Sequence, residues 1–377
     1  MSKCIGCGIK IQSNDPLKPG FVPEIKLIEQ GEDVYCKRCY DIMHHNATYD
    51  YSTSTTSYYN KISSIKDTKS LIILIVDVLN LNSSFIPNLK DYIGNNKVLI
   101  LINKTDLLPS TIKLTHLEMF VKKLAEEQLL NVVSVMMVSA FKKQNVDKVL
   151  EKIKKLRFRK DHKTKNFEDV YVMGCASVGK STFINALLKI TNQINKDLIT
   201  TSEVFNTTLD FIKINLDKKN FLIDTPGIIN PSSFGAYLLP DSIKKITPHK
   251  YIKPRTYQLN PDQTIFLGGL VRLDFVEGEK ISISTYVSND LYVHRTKTVN
   301  ADEVFEKNIG LLLNPPVTPK EIELLSTTKE LEFKFDSGAY DLEVPGVGFV
   351  HITGTNVVVK AKVYEKIDLR MVKTFIC

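Results

Sequence analysis

Residues 171–182 read YVMGCASVGKST, and within this stretch Gly174, Gly179, Lys180 and Ser181 set the spacing G-x-x-x-x-G-K-[ST]. A phosphate ligand explains each residue type. Glycines let backbone N–H groups wrap phosphate oxygens, Lys180 brings a point charge, and Ser181 offers its hydroxyl to Mg²⁺. Ser177 and Val178 fill the loop, and Thr182 follows in the first helical turn. Residues 167–173 read as a short strand. Residues 181–189 carry Phe183, Ile184, Leu187 and Leu188 at helical spacing, so the loop opens onto a helix N-terminus, where anions are favoured. The pattern predicts nucleotide binding.

Upstream, SLIILIVDV, KVLILINKTDLLP and VVSVMMVSA alternate with helical stretches, which predicts an α/β domain built on a mostly parallel sheet buried on both faces. The helix expected over 113–130 should bury Leu114, Leu117, Val121 and Leu124. The second strand ends in Asn103-Lys104-Thr105-Asp106 and the third in Ser139-Ala140, both at the carboxyl ends of strands, where open α/β sheets bind ligands. These resemble the N-K-x-D and S-A motifs by which small GTPases recognise guanine. The chemistry fits, because guanine presents two N–H donors on one edge that the Asp106 carboxylate can accept as a pair. Asn103 is placed to bridge base and loop, and Lys104 to lay its stem over the purine. Downstream lie Asn206-Thr207-Thr208, expected strands at 211–216 and 221–223, and Asp224-Thr225-Pro226-Gly227. In GTPases a D-x-x-G of this kind polarises a Mg²⁺-bound water through its Asp and meets the γ-phosphate through its Gly N–H, roles that fall on Asp224 and Gly227 with Thr208 as a further Mg²⁺ ligand.

At 377 residues and 43% hydrophobic, the chain is too long for one comfortable core. Four regions are expected: a finger over 1–47, a linker over 48–69, the nucleotide domain over 70–240, and a β-rich domain over 250–377. The finger rests on Cys4, Cys7, Cys36 and Cys39, two C-x-x-C pairs able to present four thiolates to Zn²⁺, with a redox role for the pairs as the competing reading. Apolar stretches are of strand length, so no membrane span is expected. The start MSKCIGCG has no apolar signal region, so the cytoplasm of a bacterium or a related compartment is the expected location. Six cysteines so arranged do not make a secreted disulfide framework. The net charge of +8 argues for an anionic partner only where basic residues cluster, as in 142–165, and there a solvated helix face with a charged linker is the reading preferred over a nucleic-acid contact. In the C-terminal region, Arg272, His294, Arg295, Lys297, Lys360, Lys362 and Arg370 lie among aromatic and β-branched residues, a mixture suited to RNA.

The order of motifs is guanine recognition first, phosphate loop and DTPG after, which is a circular permutation of the ordinary GTPase order. A permuted order behind a four-cysteine segment reading CIGCGIKIQ and YCKRCYDIMHHN resembles the YqeH family of bacterial GTPases. The resemblance continues through IFLGGLVRLDF, VHRTK and Asn314-Pro315-Pro316. It implies GTP hydrolysis, a role in assembling the small (30S) ribosomal subunit through ribosomal RNA, and a C-terminal domain resembling the tryptophan RNA-binding attenuation protein. The chain departs from the family pattern at Ser177, where an Asn that helps coordinate K⁺ is usual, leaving a K⁺ requirement open. Phe205-Asn206 also replaces the usual Pro-Gly before Thr207-Thr208. Ile228 stands where Ras-like enzymes orient water with Gln, as in the wider permuted group, and implies slow intrinsic turnover. The alternative reading is a nucleotide-gated RNA- or protein-binding scaffold in which hydrolysis is incidental.

Overall fold

The computed structural model describes residues 10–14, 21–22, 62–157, 166–194, 212–215, 221–225 and 227–376. Cys4, Cys7, Cys36, Cys39 and Thr208 lie outside the described residues.

Strand β1 (Leu71–Asp77) is apolar except for its last residue and is buried along its whole length, as a central parallel strand covered on both faces must be. It is followed by α1 (Leu89–Ile93), β2 (Lys97–Asn103), α2 (Leu114–Glu127), β3 (Asn131–Met137), α3 (Val146–Arg157), β4 (Val170–Met173), α4 (Lys180–Ile194), β5 (Ile212–Asn215) and β6 (Phe221–Asp224). The sheet order is β3-β2-β1-β4-β6-β5. β1 pairs in parallel with β2 and β4, β2 with β3, and β4 with β6, while β5 runs antiparallel to β6. Every parallel strand therefore ends at the same edge, and the motifs at those ends converge. Helix α2 buries Leu117, Val121 and Ala125, but Leu114 is 44% exposed. Leu114 is the first helical residue, and its side chain does not reach the sheet that covers the later turns.

After α5 (Pro240–Ile246) come β7 (Arg255–Leu259), β8 (Gln263–Leu267), β9 (Val271–Glu277), β10 (Ile281–Val287), β11 (Val293–Lys297), α6 (Ala301–Asn308), α7 (Pro319–Leu324), β12 (Thr328–Val344), β13 (Gly348–Tyr364) and β14 (Arg370–Lys373). These strands form an antiparallel sheet in which β13 pairs with β12 along one side and with β9 and β10 along the other. Its own core is centred on Leu273, Phe275, Val350 and Val359. Phe234, Leu238 and Ile246, which precede or belong to α5, pack into this second core rather than into the nucleotide domain. Conversely, Ile252, Phe349, Phe375 and Ile376 join the core of the nucleotide domain, where the Phe375 ring lies 5.0 Å from Phe120 of α2. Among the described residues no helix is long and apolar enough to cross a membrane.

Basic residues of the second sheet divide into two sets. Arg272 is 9% exposed and donates to Asp274 at 2.8 Å and Asp302 at 2.6 Å; Lys360 pairs with Glu330 and Lys362 approaches Asp302. Arg272 is buried in its carboxylate pairs, whereas Lys362, Arg295, Lys297 and Arg370 are exposed.

Candidate nucleotide-binding and hydrolysis site

Asp77, Asn103, Met137, Met173 and Asp224 end β1, β2, β3, β4 and β6, and the site is assembled from the turns that follow them. The phosphate loop runs from Gly174 to Gly179 and delivers Lys180 as the first residue of α4. Ser181 and Thr182 are exposed in the first turn, where backbone N–H groups lack intrahelical acceptors, and Val178 is buried under the loop. Ser177 sits exposed at φ 64. Gly179 has φ +97, and a Cβ there would collide with the Asn103 amide, so guanine motif and phosphate loop touch only because this residue is glycine.

Asn103 is a strut. Its Nδ2 donates to Val178 O at 2.8 Å, and its Oδ1 accepts from Ala140 N at 2.9 Å, tying the phosphate loop to the Ser139-Ala140 turn. The amide thus ties two loops together, and Nδ2 carries a second N–H beyond the one given to Val178 O. Lys104 adopts φ 65 and donates to Asp77 Oδ2 at 2.7 Å. Asp106 follows on the 3-10 turn Thr105–Leu107, half-buried. Ser139 is fully buried; its hydroxyl accepts from Lys142 N at 3.0 Å and so closes the turn.

On the hydrolytic side, Lys180 Nζ donates to Gly174 O at 2.9 Å and Cys175 O at 3.2 Å. Burial holds its ammonium below the usual lysine range, and the Asp224 carboxylate offsets part of that. Asp224 shows the reciprocal effect: burial pushes its carboxyl up to about 6, with Lys180 pulling down. Its Oδ1 is buried with no hydrogen-bond partner among the described residues. A buried, unpartnered carboxylate oxygen beside the phosphate loop, with the Ser181 hydroxyl exposed at the adjoining helix start, fits a hard cation such as Mg²⁺. Among the described residues no group of three or more His, Cys, Asp or Glu gathers around a point. Thr225 N and Oγ1 both donate to Val172 O and anchor the strand end. Ala176 N then donates to Ile228 O at 2.6 Å, which lays the segment after DTPG along the phosphate loop. A Cβ on Gly227 would lie 2.9 Å from Lys180 Nζ and 3.2 Å from Ala176 Cα. The Ile228 side chain is buried in the core.

The structure brings together Asn103, Lys104, Asp106, Ser139, Ala140, the loop from Gly174 to Thr182, Asp224 and Gly227 at one sheet edge; Thr208 lies outside the described residues. Sequence reasoning missed Asp77. Its signal was a carboxylate closing an otherwise apolar buried run, which required a partner.

A family model described as a 50S ribosome-binding GTPase matches residues 169–252, and one described as YqeH-like, C-terminal matches residues 280–375. The protein YqeH of Bacillus subtilis (strain 168) is 39% identical over 349 residues, covering 93% of this chain and 92% of the relative. The chain belongs to the YqeH family. It is a GTP hydrolase with a permuted phosphate-loop domain and a β-rich C-terminal domain. Among other relatives of this YqeH-family chain, a protein of Oryza sativa subsp. japonica named putative nitric oxide synthase is 29% identical, covering 93% of the chain and 69% of the relative. The chloroplastic/mitochondrial NO-associated protein 1 of Arabidopsis thaliana is 28% identical, covering 93% and 70%.

Proposed function

We propose that this YqeH-family GTPase is an assembly factor for the small ribosomal subunit whose nucleotide state controls its hold on ribosomal RNA. The observation that carries the reading is the continuity of the hydrolytic site with the C-terminal domain. Past Gly227 the chain lies along the phosphate loop at Ile228, then enters a turn in which Phe234 N donates to Pro345 O and Phe234 packs in the C-terminal core. A shift of this segment on loss of the γ-phosphate would move the C-terminal domain directly. In this reading Asn103, Lys104, Asp106, Ser139 and Ala140 select guanine, while Lys180, Ser181, Thr208 and Asp224 take phosphate and Mg²⁺, and the Gly227 N–H faces the γ-phosphate. Bound Mg²⁺ would supply charge neutralisation between the phosphates. Arg295, Lys297 and Arg370 are among the exposed basic side chains that would meet RNA phosphates. Cys4, Cys7, Cys36 and Cys39 hold Zn²⁺, which metal analysis of the purified chain tests. The site of action is the cytoplasm or a related compartment.

The deciding experiment measures GTP hydrolysis at fixed salt with purified small subunits, with large subunits, and alone, beside Asp106→Asn assayed with GTP and xanthosine triphosphate. Stimulation by small subunits, with the variant turning to the xanthine nucleotide, supports the reading. Stimulation by large subunits alone moves the partner to the particle named in the family model. The burial of Ile228, which leaves no polar side chain at that position to orient water, favours a second reading as a nucleotide-gated scaffold. Subunit binding that does not differ between GTP and a non-hydrolysable analogue would select it.

A further inference from the structure

The turn after β1 connects four parts of the molecule, and the C-terminal sheet holds it through Glu343 and Gly346. Glu343, near the end of β12, is 1% exposed and directs both carboxylate oxygens at this turn. Oε2 accepts from Asn82 N at 2.8 Å and from Asn82 Nδ2 at 3.0 Å, and Oε1 accepts from Ser83 N at 2.7 Å. The β12–β13 connection adds Gly346 N donating to Asn80 Oδ1 at 2.8 Å. From the turn, contacts run into the GTPase site along three lines. Toward phosphate, the Cys175 thiol donates to Ser84 O at 3.4 Å. Toward the segment after DTPG, Asn230 Nδ2 donates to Ser83 O at 3.1 Å. Toward guanine, Asp77 N donates to Ser84 Oγ at 3.1 Å, and Asp77 Oδ2 takes the Lys104 ammonium at 2.7 Å.

We propose that Glu343 is a positioning residue for GTP binding and hydrolysis, acting from the C-terminal sheet through the turn at residues 80–84. Within the turn Ser84 N donates to Asn80 O at 3.0 Å and Phe85 N to Asn82 O at 3.2 Å, while the amides of Asn82 and Ser83 are met by Glu343. Because each peptide unit is planar, holding Ser83 N–H fixes the unit whose carbonyl, Asn82 O, accepts from Phe85 N, and the Phe85 amide belongs to the unit that carries Ser84 O. Ser84 N, in the unit that carries Ser83 O, donates to Asn80 O, and the two carbonyls so placed receive Asn230 at Ser83 O and Cys175 at Ser84 O. Displacing the C-terminal domain therefore displaces the turn, and the turn reaches both phosphate loop and base site. The nucleotide pocket is complete only when the second domain is docked.

The test compares full-length wild type, Glu343→Gln and Val359→Ala for steady-state GTP hydrolysis, fluorescent GDP binding and thermal melting. Glu343→Gln keeps the shape but sets an NH₂ group against backbone donors that need an acceptor. Val359→Ala opens a cavity in the same sheet at a fully buried position paired with Phe275 and Phe333, remote from the turn. The expected result is a rise of about tenfold in KM for GTP and Kd for GDP in E343Q, the size of a coupling carried between domains. V359A should melt earlier yet leave both constants unchanged. The proposal is overturned if E343Q moves KM and Kd no further than V359A does, since Glu343 would then be domain glue alone. Should E343Q melt below the assay temperature, Asn82→Ala removes one of the three bonds and leaves the carboxylate its two backbone donors. A rise of about threefold is then expected, and no rise overturns the proposal.

Discussion

Asp224 is ionised in a place that disfavours ionisation. With its folded carboxyl raised to about 6 from an ordinary 3.8, the folded chain holds a proton that the unfolded chain has already released across that interval. Stability from this group is thus fully present below the ordinary value, falls as pH rises through about 6, and is absent at neutral pH. The difference amounts to about 3 kcal/mol at neutral pH, from about two pH units at 1.36 kcal/mol each. Asp224→Asn should therefore stabilise the nucleotide-free protein at pH 7.5 by about 1–3 kcal/mol and give little or no gain at pH 4.5, while Mg²⁺-dependent hydrolysis is lost. Denaturant melts at the two pH values check the first part, and a loss of stability at pH 7.5 would contradict it. Gly227→Ala tests the other side of the same contact. The added methyl meets the Ala176 backbone, which cannot step aside as the Lys180 amine can. A fall in kcat of about tenfold with GDP affinity within about twofold is expected, measured by single-turnover hydrolysis and GDP titration.

Among the elements, α5 shows where reading a sequence stops. Thr318-Pro319-Lys320-Glu321 carries the S/T-x-x-E pattern of a capping box and starts α7 as that pattern requires, with the Thr318 hydroxyl accepting from Glu321 N. What no local pattern announces is that the same carboxylate, 2% exposed, also accepts from Leu239 N at 2.6 Å and Ser242 Oγ at 3.0 Å. One side chain caps its own helix and staples the start of α5. The guanine and phosphate motifs were legible because their residues are close in sequence and their spacing carries the chemistry. Asp77, Glu321 and Glu343 were not, because each acts on partners that only the folded chain brings near. Leu114 failed for a related reason: periodicity gives the face of α2 but not where the sheet beneath it ends. Glu321→Ala removes the acceptor from several buried donors at once, and should lower unfolding free energy by about 3 kcal/mol. Glu321→Gln should recover part of that loss. Urea denaturation decides, and equal losses in the two variants would show that the complete carboxylate is required and that side-chain volume with one oxygen restores nothing.

For the whole molecule, the permuted order of the chain places the hydrolytic strand β6 last in the nucleotide domain and leads from it straight into α5 and the C-terminal sheet. The two parts then exchange core residues in both directions. Phe234 and Leu238 belong to the second core, while Phe349, Phe375 and Ile376 complete the first. The Phe375 ring is wedged 5.0 Å from Phe120 and 5.0 Å from Phe349, so it touches both domains and the helix α2 that flanks the guanine side of the sheet. Burial shared in this way makes unfolding of either part expose apolar surface on the other, which couples their transitions. The described region should then unfold in one cooperative step, and Phe375→Ala should cost about 3–5 kcal/mol and loosen that coupling. Circular dichroism and release of a fluorescent guanine nucleotide, followed together through a urea titration, measure it. In wild type the two signals should coincide. In the variant nucleotide release should come at lower urea, because the domain that loses its wedge is the one holding the base. Two separate transitions already present in wild type would show that the domains are stable apart, and that docking governs the site without governing the fold.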